Sequence, residues 1–410
     1  MSRLLLFTGK GGVGKTTTAA ATAAHASRCG VRTLVTSADP AHSLGDALGV
    51  DVGHEPAEVA PHLFAQQVDA RTRGERSWGE VQRYLVAALT ELGVDPLAAE
   101  ELTELPGAEE VLAPLEVRDQ VSAGGWDLVV VDCAPSAETL RLLALPEVLT
   151  RYVRRLLPME RRIARVLNGT VRPVHALAAA SMSRAGVPVP ADHVVEAAER
   201  LAAELAGVQE VLRSPRTSVR LVTTAETVVL AETRRTWTSL ALHGFRVDQV
   251  VANRVFLGGD DTWRQRWSAA QEAVLADADA SFHPVPVLRA GYADAEPVGV
   301  AALAAFGERL LGPAAEWSAE AVLAPAGDPA GLDVERVDGG FVLGLDVPLA
   351  RREDLELGRR GDDLVVTVSG RSRVVALPGA LTRCQVAGAA LRDGRLAVRF
   401  EPDPTLWPAR

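Results

Sequence analysis

The strongest constraint on this chain begins at its ninth residue, in Gly9-Lys10-Gly11-Gly12-Val13-Gly14-Lys15-Thr16-Thr17. The first eight positions fit G-x-x-x-x-G-K-[ST], and the flanks agree with the pattern. Arg3-Leu4-Leu5-Leu6-Phe7 reads as a short buried strand, and an alanine-rich helical stretch runs on from Thr18. A strand that enters a glycine-rich turn and leaves as a helix offers backbone amides and a helix N-terminus to an anion. The expectation is an α/β fold with a phosphate cradle at the mouth of a sheet.

Lysine usage points to the same loop. Only two of the 43 cationic residues are lysine, Lys10 and Lys15, and the rest are arginine. A chain so biased keeps lysine where a compact ammonium is needed and a planar guanidinium does not fit.

Further short apolar runs, Thr33 to Ser37, Leu128 to Asp132, Arg220 to Thr224, Gln249 to Asn253 and Pro284 to Leu288, read as strands buried on both faces. Each is followed by a helical pattern, the mark of a parallel sheet. The stretch between the Leu128 and Arg220 runs is rich in Ala, Leu, Glu and Arg and reads as a helical insertion over roughly 146–218. Within it Leu201, Leu205, Val208 and Leu212 recur at helical spacing. Additional helices are expected over roughly 75–120. Residues 1–323 thus form one α/β domain with an inserted helical subdomain. A Pro/Gly linker over 324–332 follows, and 333–404 change to alternation: Leu364, Val366, Val368, then Leu396, Val398, Phe400, with an Asp393-Gly394 hairpin turn. That tail reads as a small β-sandwich.

No apolar run reaches the roughly eighteen residues that span a bilayer, so no integral membrane segment is expected. The formal charge of −10 argues against nucleic acid as a partner. Cys29, Cys133 and Cys384 lie far apart, which fits neither a disulfide framework nor a zinc site. A cytoplasmic setting and no zinc are the expectations.

The loop chemistry reads as Mg-ATP binding. Gly9, Gly11, Gly12, Val13 and Gly14 supply the backbone wrap. Lys15 reaches the β and γ phosphates, Thr16 places its hydroxyl on Mg²⁺, and Thr17 reaches the α-phosphate. Asp132 closes the strand Leu128-Val129-Val130-Val131, where a carboxylate holds Mg²⁺ through water. Asp39, after the second strand, is placed to orient or deprotonate the attacking water.

These residues together resemble the arsenical pump-driving and tail-anchored-protein-targeting ATPases. The resemblance covers roughly 1–315 and rests on the loop Gly9–Thr17, the stretch Ser37–Leu44, Asp132-Cys133-Ala134-Pro135-Ser136-Ala137-Glu138-Thr139-Leu140-Arg141, and Val250-Val251-Ala252-Asn253-Arg254. It implies a homodimer closing around two ATP molecules, with Lys10 crossing to the partner's nucleotide. It also implies that Asn253 reads the adenine, with a simple strand-end turn role as its alternative, and that a proline near Pro286 packs against the base. The tail is similar to the α-crystallin domain of small heat-shock proteins, through Leu345-Asp346-Val347-Pro348, Leu377-Pro378 and Leu391-Arg392-Asp393-Gly394-Arg395-Leu396. Septum-site and plasmid-partitioning ATPases share Lys10 and the loop but lack the helical insertion and the tail.

Departures from the family pattern limit what carries over. Ser136-Ala137-Glu138 stand where Thr-Gly-His is usual, no CxxC is present, and there is no thiol cluster for arsenite. The expected function is an ATP hydrolase whose dimer opens and closes around a hydrophobic protein client. A nucleotide-gated interaction protein with negligible turnover is the alternative, and an arsenite-transport role is disfavoured. The helices of the insertion either line a client groove or form their own core and the dimer seam.

Overall fold

A computed structural model describes residues 2–39, 43–68, 108–133, 192–256, 258–313, 319–326 and 332–406. The chain forms two compact units. One comprises Met1–Gln67, Gly124–Leu140 and Leu212–Arg410, and the other Val68–Ala123 and Arg141–Val211.

The first unit is built on an eight-stranded sheet. In chain order its strands are β1 (Arg3–Gly9), β2 (Thr33–Ser37), β3 (Ala57–Ala60), β4 (Leu63–Gln67), β5 (Leu128–Asp132), β6 (Thr217–Thr224), β7 (Val247–Val255) and β8 (Val287–Gly291). Their order across the sheet is β3-β4-β2-β5-β1-β6-β7-β8. All neighbours run parallel except the edge hairpin β3–β4. The central strands are buried from end to end, as Leu4-Leu5-Leu6-Phe7 and Leu128-Val129-Val130-Val131 require once helices cover both faces.

Helix α1 (Lys15–Arg28) leaves the loop and is buried over Thr18–Ser27. Its alanines let α7 (Val300–Leu311) approach so closely that a methyl group on Gly307 would meet the Ala21 carbonyl oxygen. The remaining helices of this unit are α2 (Ser43–Leu48), α5 (Thr227–Leu242), α6 (Thr262–Phe282) and α8 (Ala319–Leu323).

Five of the six expected strands lie where the sequence puts them, with β1, β6 and β7 longer by a few residues. The sixth differs: β8 starts at Val287, because Pro284 and Pro286 have no amide proton to give to a ladder. Strands β3 and β4 are additions. They are short, and buried Gln66 and Gln67 interrupt the apolar run that would have revealed β4.

In the second unit, α3 (Ala108–Ala123) and α4 (Asp192–Leu212), whose last residue belongs to the first unit, are described. Leu205, Val208 and Leu212 of α4 are buried, and the Arg118 guanidinium of α3 donates to the Glu204 carbonyl at 3.0 Å. The rest of the expected helical insertion, the block from 75 to 107, and Ser136-Ala137-Glu138 lie outside the described residues.

From Asp333 the chain is all antiparallel. One sheet has the order β14 (Cys384–Arg392), β15 (Arg395–Pro402), β10 (Gly340–Asp346), β9 (Asp333–Val337). The other holds β11 (Leu355–Arg360), β12 (Asp363–Val368) and β13 (Arg371–Ala376). The alternating residues named above interleave in one core with Leu343, Leu345, Val375, Leu377 and Leu381. Asp393 and Gly394 both take positive φ, 48° and 73°, as a two-residue hairpin demands.

Candidate nucleotide site

Parallel strands bring their C-terminal ends to one side, so β1, β2, β5 and β7 deliver the loop, Ser37–Asp39, Asp132 and Asn253 to the same edge. Ser37 and Phe7 both register against Asp132. Ligands of open α/β sheets bind at this edge, beyond the strand where neighbours lie on either side of the starting strand. Here that strand is β1, between β5 and β6.

Two glycines of the loop are dictated by space. A side chain on Gly9 would collide with the Val222 carbonyl oxygen of β6. Gly14 has φ of 90° and faces the Asn253 amide nitrogen with no room for a methyl group. The Asn253 amide donates to the Val13 carbonyl at 2.9 Å, and its oxygen accepts from the Arg254 amide. Arg254 itself is left-handed, with φ of 58°. The carboxamide of Gln271 in α6 fixes that bend by donating to the Arg254 carbonyl and accepting from Phe256 N–H.

Lys15 is 6% exposed, and its ammonium donates to the Lys10 carbonyl at 3.3 Å. A buried ammonium with a single hydrogen bond among the described residues is suited to an anionic partner. The Thr16 hydroxyl donates to Asp132 Oδ2 at 2.7 Å and lies 3.1 Å from Ser43 Oγ. Ser37 adds a longer bond to the same carboxylate oxygen.

Asp132 is fully buried, and its other oxygen, Oδ1, has no hydrogen-bond donor among the described residues. Burial pushes its pKa up to about 6. Thr16 and Lys15 pull it down against that, while the nearby Asp39 pushes it further up. A buried carboxylate with one oxygen unmet, beside a threonine hydroxyl, fits a hydrated divalent cation. This donor set, one carboxylate and hydroxyls, suits Mg²⁺, whose other ligands come from phosphate and water.

Asp39 is tied in through its backbone: its amide donates to Ser37 Oγ at 3.2 Å, and its carbonyl accepts from Gln67 Nε2 at 3.0 Å. Gln67 also reaches the Ser37 carbonyl. Sequence reasoning missed Gln67, because nothing in its vicinity marked β4 as a strand of this sheet. Pro286 must be corrected. It precedes β8, and its carbonyl accepts from Val250 N–H, so it sits at the opposite end of the strands from Asn253. The proline on the loop side of β8 is Pro297, which is half-buried.

Lys10 extends from the loop to an ion pair with Glu232 of α5, 3.5 Å apart. Cys133 follows Asp132 and is buried, with burial pushing its thiol far above the usual range. Such a thiol is inert packing. No helix among the described residues is long and apolar enough to cross a membrane.

Comparison with known proteins agrees with this geometry. Residues 2–312 match the family of anion-transporting ATPases, and residues 338–400 match an HSP20-like domain found in that family. A Streptomyces coelicolor protein is 42% identical over 99% of both chains. A putative arsenical pump-driving ATPase of Chlorobaculum tepidum is 32% identical over 97% of this chain and 96% of its own. The ATPase get3 of Schizosaccharomyces pombe is 28% identical over 74% of this chain and 90% of its own. With its glycine loop, buried lysine and buried aspartate on a parallel sheet followed by a β-sandwich, and with both family matches, this chain belongs to the anion-transporting (ArsA-type) ATPase family, as an ATP hydrolase with an HSP20-like domain.

Proposed function

We propose that this ATPase works as a homodimer whose hydrolysis of Mg-ATP opens and closes a client site on its helical unit. The observation that carries the reading is the cluster of Lys15, Thr16, Ser37 and Asp132 at one sheet edge, with Asp39 joined to it through Ser37.

Lys15 neutralises the β and γ phosphates, while backbone amides from Gly11 to Thr17 and the start of α1 hold the phosphate chain. Asp132 and Thr16 hold Mg²⁺, which, when bound, screens the phosphate oxygens. Asp39 orients the attacking water and takes up its proton. Asn253 keeps one amide hydrogen and one oxygen lone pair beyond its bonds to Val13 and Arg254, and these read the adenine.

Each ATP requires a charge from the partner subunit as the γ-phosphate leaves, and Lys10 supplies it. Client binding falls to the helical unit, and the resemblance to tail-anchored-protein-targeting ATPases supports an apolar protein segment as the client. Soft, methionine-rich surfaces suit varied clients. With only three methionines in this chain, such a groove would have to draw on Leu, Ala and Val.

Two variants test this. Lys10→Ala retains ATP binding but loses most turnover and ATP-dependent dimerisation; unchanged turnover removes the trans role. Asp39→Asn loaded with ATP stays closed and captures hydrophobic segments in a crosslinking assay. Equal, near-zero turnover in wild type and Asp39→Asn would instead leave only nucleotide-gated binding.

A further inference from the structure

We propose that Glu232 is the resting counter-ion of Lys10, and that the β-sandwich, seated on the same helix, controls how readily Lys10 is released.

Helix α5 carries both contacts. Near its start, Glu232 holds the Lys10 ammonium at 3.5 Å. Towards its end it is gripped by the sandwich. The Thr238 hydroxyl donates to the Pro348 carbonyl at 2.6 Å, the Arg373 guanidinium donates to the Leu242 carbonyl at 2.6 Å, and the fully buried Leu242 side chain belongs to the sandwich core. The sandwich is therefore continuous in packing with the helix that restrains the loop lysine.

A second cation, carried by the sandwich, lies within electrostatic reach of the same carboxylate. Arg371 opens β13, two residues before Arg373, and is partly buried. Its pKa is lowered by burial and by Arg235, and Glu232 opposes that shift. Arg235 lies three residues after Glu232, on the same side of α5. Glu232 thus serves one ammonium from the loop and sits within electrostatic reach of two guanidinium groups, one of them delivered by the sandwich. Removing Arg371 takes one positive charge from the neighbourhood of Glu232 and so tightens its hold on Lys10.

The strength of the pair suits a switch. Both side chains are over a third exposed or close to it, 40% for Lys10 and 35% for Glu232. Ion pairs of that exposure are weak and readily exchanged. A deeply buried pair would lock the loop instead.

The inference rests on Lys10 belonging to the nucleotide machinery, though not on where Lys10 goes once released. Because Lys10 and Lys15 are the only lysines, full-length protein labelled with ¹³C at lysine Cε gives two resonances, and Lys10→Arg identifies one. Glu232→Gln and Arg371→Gln are each expected to shift the Lys10 resonance and leave that of Lys15 in place. In steady-state turnover they act in opposite directions: Glu232→Gln frees Lys10 and raises the rate several-fold, whereas Arg371→Gln strengthens the resting pair and lowers it several-fold. The double variant behaves as Glu232→Gln. A Lys10 resonance that ignores both substitutions overturns the proposal. So do turnover changes of the same sign, which mean that both substitutions only damage the helix–sandwich contact. Failure of the partner-crossing role shows up separately, as unchanged turnover in Lys10→Ala.

Discussion

The glycine loop and the β-sandwich are both well ordered in packing, but they are specified in different ways. In the loop, individual residue types are dictated. Gly14 is required by its positive φ and by the Asn253 amide beside it, Lys15 by its buried ammonium, and Thr16 by its bond to Asp132. In the sandwich only the period is dictated. Leu364, Val366 and Val368 face Leu396, Val398 and Phe400 across one core, and another apolar residue of similar volume would fill each place. Chemistry constrains identity, whereas burial constrains pattern. Loop substitutions should therefore remove function and spare the fold, and substitutions in the sandwich core should do the reverse.

The largest expected effect tests the first half of that contrast. Lys15→Ala should lower ATP turnover on the order of 100-fold or more, since in the proposed mechanism it deletes the charge facing the transferred phosphoryl group. Its melting temperature should stay within a few degrees of wild type; a collapse in stability would show that Lys15 is structural, and the contrast would break.

Phe400→Ala tests the second half. Phe400 is wholly buried, and its truncation should cost about 3–5 kcal/mol in a denaturant titration that follows the sandwich. Affinity of the still-folded protein for Mg-ATP should be unchanged. If affinity drops in parallel, the two regions unfold as one.

Asp132 sharpens the contrast through pH. Its carboxyl is held up to about 6, so it carries its charge only above that pH. Because Mg²⁺ takes the ionised form, the magnesium-dependent part of ATP affinity should be full above pH 6 and weaken about tenfold per unit below it. Titration of wild type against Asp132→Asn separates this from protonation of ATP itself, and identical pH profiles would remove Asp132 from the cation site. Stability of the nucleotide-free protein runs the other way. A raised folded-state pKa favours the protonated form, so stability should fall as pH rises from about 4 to 6, and Asp132→Asn should abolish that fall.

The smallest effect concerns the seam between the regions. Thr238→Val removes one hydrogen bond to the Pro348 carbonyl and should cost about 1 kcal/mol. Differential scanning calorimetry would register it as a small shift of the sandwich transition. A larger loss would mean that the sandwich depends on α5 for its own folding.

Much of the fold was legible because its signals are local. The apolar runs of β1, β2 and β5, the alternation in the tail and the Asp393-Gly394 turn are each contained in a few adjacent residues. What escaped was non-local. Strand β4 was hidden by Gln66 and Gln67, whose amides are buried because they satisfy the backbone near His54 and around Asp39. The resemblance points to a proline near Pro286, but the direction of β8 carries Pro286 to the end of the sheet away from Asn253. Glu232 carries no motif at all and joins the site only because β6 places α5 beside the loop.

The sequence alone determined the cradle. A glycine-rich turn between an apolar strand and an alanine-rich helix, holding the only two lysines, admits few anions other than a nucleotide's phosphates, because backbone conformation and charge are written into adjacent residues. Only the tertiary structure decided what surrounds that cradle: the carboxylate with one oxygen unmet, the asparagine braced on the loop, and the glutamate that holds Lys10 next to a sandwich more than a hundred residues away. Those contacts join strands and helices distant in sequence, and such meetings are set by sheet order and crossover.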